Sequence, residues 1–87
     1  MDKLVVHKRA AKYLRKLPSE QKEKVKASLR QLRDSPLTYP GNIKMAGKWA
    51  GYRRIKIGDW RVIYWADEQK NTVYVDHIGP RGDVYKK

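Results

Sequence analysis

The chain has no cysteine. Disulfides, thiolate metal sites and a cysteine nucleophile are therefore excluded, and nothing argues for an oxidising compartment. Histidine is scarce: His7 and His77 are too few for a metal cluster, and no cofactor is expected. Long apolar runs are missing as well. Leu4-Val5-Val6 falls far short of a signal peptide or a membrane span, so the chain is expected in the cytoplasm, without a membrane partner. There is no Gly-rich phosphate loop, no nucleophile elbow and no carboxylate pair; Asp59, Asp67, Asp76 and Asp83 fit turns, strand surface or tail. Acidic side chains are few, 9 against 21 Lys and Arg, which leaves a formal net charge of +12 on 87 residues.

That excess of one sign is the main positive feature. Residues 1–42 hold 11 basic and 4 acidic side chains, and residues 43–87 hold 10 and 5, so the charge is not a basic tail on a neutral module. Three Trp, six Tyr and a 40% hydrophobic content argue for a folded body, a single domain over residues 1–87. A domain of this size buries only about two-thirds of its unfolded surface. Domains this basic meet nucleic acid, an anionic membrane surface or an acidic protein. Nucleic acid is the favoured reading here, with a merely solvated basic surface as the alternative.

Leu4 to His7 reads as a short strand. Ala10, Tyr13, Leu14 and Leu17 fall at i, i+3, i+4 and i+7, the stripe of an amphipathic helix from about Lys8 to Lys16. Pro18 breaks it, and Ser19 is expected to cap a second helix whose stripe is Val25, Leu29 and Leu32 and whose end is Asp34-Ser35-Pro36. Residues 36–42 form a loop, Ile43 to Met45 a strand or extended lead-in, and Gly47 to Gly51 a flexible turn around Trp49. Tyr52 to Ile57, Trp60 to Ala66 and Thr72 to Ile78 read as strands; in the last, Val73, Val75 and His77 are expected on one face and Tyr74, Asp76 and Ile78 on the other. The fold class is α+β: an N-terminal helical hairpin packed on one face of a small, mostly antiparallel twisted sheet.

Gly58-Asp59 reads as a two-residue hairpin loop of the type that takes Gly first. It pairs Ile57 with Trp60, Lys56 with Arg61, Ile55 with Val62 and Arg54 with Ile63. One face then carries Ile55, Ile57, Trp60 and Val62, which the helices need. The opposite face carries Tyr52, Arg54, Lys56, Arg61, Ile63 and Trp65 and sets two like charges directly across the ladder, a cost of a few tenths of a kcal/mol or more. A polyanion would remove that cost.

Without acids, thiols or a metal cluster, the remaining chemistry is cationic and phenolic. That suits phosphodiester cleavage in RNA, where the substrate brings its own 2′-hydroxyl and an enzyme need only align it and neutralise a phosphorane. A lysine among arginines is a candidate base; an arginine stays charged and clamps phosphate. Each residue has a plainer reading. Arg54 and Lys56 also fit solubilising edge charges, and Arg61 opposite them favours function. Tyr85 fits a frayed end, His77 a structural strand-end histidine, and Trp49 and Trp65 a cover for the sheet or a partner-protein contact as well as base stacking.

The pattern Tyr52-x-Arg54-Ile55-Lys56-Ile57, then Trp60-Arg61-Val62-Ile63-Tyr64, then Ile78-Gly79-x-Arg81 with Val84-Tyr85, resembles the RelE branch of the RelE/ParE toxin superfamily, and with the element order the resemblance spans almost the whole chain. It implies a toxin of a type II toxin-antitoxin pair that enters the ribosomal A site and cuts mRNA by attack of the 2′-hydroxyl on the adjacent phosphodiester. Carried over, Lys56 is the base, Arg61 and Arg81 hold the phosphate, Arg81 also assists the leaving group, and Tyr85 orients or stacks on the RNA. Arg54 stands where the best-known members have a lysine, which keeps the charge for RNA binding. The implied partners are the ribosome, mRNA and a small RelB-like antitoxin that covers this face in a hetero-oligomer. The alternatives are a ParE-like inhibitor of DNA gyrase and a non-catalytic basic RNA-binding module.

Overall fold

The computed structural model describes residues 1–80. β1 (Lys3–Val6) leads into α1 (Lys8–Arg15) and α2 (Ser19–Asp34); after a loop come β2 (Ile43–Lys44), a single 3-10 turn (Gly47–Trp49), β3 (Arg53–Ile57), β4 (Trp60–Asp67) and β5 (Thr72–Pro80). The sheet order is β1-β5-β4-β3-β2. β3, β4 and β5 form an antiparallel meander with β2 on its outer edge, and β1 pairs parallel with β5. The parallel pair follows from connectivity, because the helical hairpin carries the chain across the sheet before the meander brings it back. The expected α+β class holds, with the helices on one face.

Both helices form for reasons visible locally. His7 begins α1, and its Nδ1 accepts the Arg9 amide at 3.1 Å, satisfying one of the donors that a helix start leaves open. Ala10 and Leu17 of the predicted stripe are buried. The expected cap of α2 needs correction. Pro18, not Ser19, holds the cap position, with φ −57° and ψ 151° and no side-chain cap bond. Proline's fixed φ suits that position, and the Pro18 carbonyl accepts the Lys22 amide at 2.8 Å, which leaves Ser19 inside the first turn.

The core is one cluster. Ala10, Leu17, Val25, Leu29 and Leu32 from the helical side meet Ile55, Ile57, Val62, Tyr64, Val73, Val75 and Ile78 from the sheet. Trp60 is half-buried beside it, edge-on to Tyr13 with ring centroids 5.3 Å apart, which ties α1 to the hairpin. Tyr64 is fully buried and donates its hydroxyl to the Pro36 carbonyl at 2.6 Å. Burial pushes that phenol's pKa up to about 12, against a smaller opposing pull from the Arg53 charge. Arg53 also donates to Asn42 Oδ1 at 2.6 Å, and Asn42 Nδ2 donates to the Tyr39 carbonyl at 2.7 Å, so the loop after α2 is pinned to the start of β3.

The hairpin register is the expected one: Ile57 pairs with Trp60, Lys56 with Arg61, Ile55 with Val62 and Arg54 with Ile63. Gly58 turns it at φ 59°, a conformation that glycine adopts without a Cβ penalty. β5 departs from its expected alternation. Tyr64 pairs with Val75 but Ile63 pairs with His77, so Asp76 is an extra residue in a β-bulge. The bulge resets the phase: Ile78 enters the core, whereas the unbroken alternation had put His77 on that side.

Candidate nucleic-acid interface

Register sorts the face away from α1 and α2 into three rows. Nearest the turn, Lys56 stands across from Arg61, which stands across from Gly79. In the middle row Ile43, Arg54, Ile63 and His77 follow one another from β2 to β5. At the far end Trp65 stands across from Tyr74 and Tyr74 across from Val5.

The first row is cationic. Lys56 is exposed and Arg61 half-buried. The Nε of Arg61 is enclosed and has no hydrogen-bond partner among the described residues, a state that costs about 1–3 kcal/mol for a buried polar group. Gly79, its neighbour on β5, carries no side chain that could supply an acceptor. The ion pair found among the described residues, Arg33 with Asp34 at 3.2 Å, lies at the end of α2, away from this row.

The middle row is roofed. Ile63 is fully buried although it faces away from α1 and α2. Trp49, carried in by the 3-10 turn, packs edge-on against His77 at 5.1 Å and against Tyr52 at 5.2 Å. The Tyr52 hydroxyl donates to Asp76 Oδ2 at 3.0 Å. Its pKa is raised, first by burial and then by the hydrogen bond to the Asp76 carboxylate and by that group's charge. The segment read as a flexible turn is thus an aromatic brace between β3 and β5, and the bulge puts Asp76 and His77 within its reach.

The far row is aromatic. Trp65 and Tyr74 stack nearly parallel, with centroids 4.6 Å apart and 17° between planes, and Val5 beside them is 45% exposed. The structure therefore brings Lys56 and Arg61 together, puts Arg54 in the next row, and places Trp49 and Trp65 on the same face. Arg81 and Tyr85 lie outside the described residues. Among the described residues no group of three His, Cys, Asp or Glu side chains could hold a metal ion, and no helix is long and apolar enough to cross a membrane. The sequence reading missed the Tyr52 to Asp76 bond; its one signal was an aspartate within a strand, a residue depleted there.

A family model described as the ParE toxin of the type II toxin-antitoxin system parDE matches residues 4–85. The chain belongs to this toxin family. It is a toxin of a type II toxin-antitoxin system, within the RelE/ParE superfamily. No curated protein is similar enough to count as a relative. Among solved structures, the toxin is similar to the isolated E. coli RelE toxin, at 28% identity and TM-score 0.74 over 95% of this chain and 89% of that one. It is similar to a chain of the archaeal RelE-RelB complex from Pyrococcus horikoshii, at 26% identity and TM-score 0.79 over 93% and 96%. A chain of the RelBE2 toxin-antitoxin complex from Mycobacterium tuberculosis shares the fold, with TM-score 0.80 at 22% identity over 91% and 96%.

Proposed function

We propose that this toxin is a ribosome-dependent mRNA endoribonuclease that stops translation by cutting mRNA in the A site. The observation that carries the reading is the cross-strand pair of Lys56 and Arg61, two cations held opposite each other on the face away from α1 and α2, with one guanidinium nitrogen unsatisfied among the described residues. The similarity to RelE chains above 25% identity supports the same branch.

The 2′-hydroxyl oxygen attacks the adjacent phosphorus, the bond to the 5′-oxygen breaks, and a proton passes from the 2′-oxygen to the enzyme and from the enzyme or water to the leaving oxygen. Lys56 is the base in this scheme, and Arg61 and Arg81 neutralise the phosphorane, where aimed cationic donors act most strongly. Arg81 assists the 5′-oxygen, Tyr85 orients the RNA, and Arg54 in the next row adds backbone attraction. The reaction needs no metal. A RelB-like antitoxin is the proposed protein partner, as in the RelE-RelB complexes among the similar structures, and it silences the toxin by covering this face.

The test is primer extension on a defined mRNA in a translating extract, with a gyrase supercoiling assay on the same preparation. Cuts at A-site codons support the ribonuclease. Intact mRNA with inhibited supercoiling supports the second reading, a gyrase inhibitor, which the ParE description of the matching family favours. Arg81→Ala and Tyr85→Ala are expected to relieve growth arrest while antitoxin binding persists; arrest undiminished in both would count against the assigned roles.

A further inference from the structure

β4 runs on past the end of β3: Arg53 pairs with Tyr64, and Trp65, Ala66 and Asp67 continue without a β3 partner. The gap is a cleft of about 410 Å³ lined by Trp65, Tyr52, Met45, Lys44, Arg53 and Glu68, among others. Trp65 is supported on one side by its stack with Tyr74 and borders the cleft. Tyr52 is fixed by its bond to Asp76, and Arg53 by its bond to Asn42. The walls are therefore aromatic and pre-positioned, with two cations and one carboxylate at hand.

We propose that this cleft binds a nucleobase of the single-stranded RNA whose phosphates lie on the Lys56 and Arg61 row. The inference rests on RNA being the toxin's substrate and adds a second contact to it. Three observations select this occupant. The net charge of +12 favours a polyanion. Trp65 shares a face and a strand with Arg61, four residues away or about 13 Å along β4, so one extended strand can reach both. An indole backed by a stacked phenol is a platform of the kind on which bases stack irrespective of sequence, while Lys44 and Arg53 can take the flanking phosphates and Glu68 can accept from a base amino group.

The test titrates the free toxin into a fluorescein-labelled, short single-stranded 2′-O-methyl oligoribonucleotide, which lacks the 2′-hydroxyl and is not cut, at several salt concentrations, with affinity read from the label's anisotropy and stacking from tryptophan quenching. Trp65→Ala is expected to weaken binding about tenfold and to leave the salt dependence unchanged, because stacking releases no counterions. Lys44→Ala is expected to weaken binding and to reduce the salt slope by about one. Trp65→Phe, which keeps a ring in the stack, should retain most of the affinity and lose most of the quenching; it guards against a fold defect in the alanine variant. Equal affinity and equal quenching in wild type and Trp65→Ala would overturn the cleft, as would a Trp65→Ala defect confined to antitoxin affinity, which would make this a protein-docking groove. Wild-type toxin that binds no oligonucleotide even at low salt would also overturn it. Cleavage by wild type that Arg61→Ala abolishes would stand in each of these cases, so the site and the wider function fail separately.

Discussion

The two faces of the sheet are built from the same strands, residue by residue in alternation, yet they answer to different demands. On the helix side Ile55, Ile57, Val62, Val73 and Val75 are buried in one cluster with α1 and α2. On the other side the same strands present Lys56, Arg61 and Arg54, then an aromatic brace, then the stacked Trp65 and Tyr74. The first face is optimised for burial. The second keeps like charges opposed and, among the described residues, a guanidinium nitrogen unpaired, an arrangement that costs the free protein stability and suits a surface that meets an anion. Among the described residues, the brace of Trp49, Tyr52 and His77, with the buried Ile63 paired to His77, gives the second face something like a core of its own.

Substitutions separate the two faces. Leu32→Ala, in the fully buried part of the helix side, should cost about 2–5 kcal/mol in urea unfolding; retained stability would show that α2 is not an integral part of the core. Arg61→Ala should do the reverse, slowing cleavage about 100-fold or more while the unfolding midpoint stays at or above wild type, because the substitution removes both the opposed charge and the enclosed Nε. Tyr64→Phe should cost about 1–2 kcal/mol by leaving the Pro36 carbonyl without its donor.

Tyr64 also sets a pH dependence. Its pKa is about 12 folded against about 10 unfolded, so the folded state binds more protons between those values. The stabilisation is therefore fully present below about pH 10 and is lost as pH rises through about 12. Tyr64→Phe should flatten that alkaline limb, and an unchanged limb would mean that another group is responsible. The smallest effect belongs to Lys56→Gln, which should raise stability by a few tenths of a kcal/mol at low salt by relieving the pairing with Arg61, a gain that shrinks as salt screens it.

The helix-side face was largely legible in the sequence because it obeys simple periods. Ala10, Leu17, Val25, Leu29 and Leu32 fall on helical stripes, and Ile55, Ile57 and Val62 alternate about a turn that Gly58 announces, so the hairpin register could be read directly. The open face was legible along β3 and β4, where Arg54, Lys56, Arg61, Ile63 and Trp65 are fixed by counting outward from Gly58. On β5 the count fails. The bulge at Asp76 shifts β5 by one residue, and no local pattern reports it, so His77 and Ile78 were placed on the wrong sides. The Trp49 brace and the cleft beside Trp65 depend on contacts between segments far apart in sequence, which periodicity does not encode. The cap of α2 was misplaced for a smaller reason: Ser19 is a good capping residue by type, but Pro18 already held the extended conformation that the cap requires.

The measurement that bears most directly on the account is primer extension in a translating extract with wild type and Arg61→Ala, the two matched for folding and for antitoxin binding. The account predicts cuts at A-site codons with wild type and their loss with Arg61→Ala. Cuts of equal strength in both would contradict it, because the chemistry would then lie away from the Lys56 and Arg61 row.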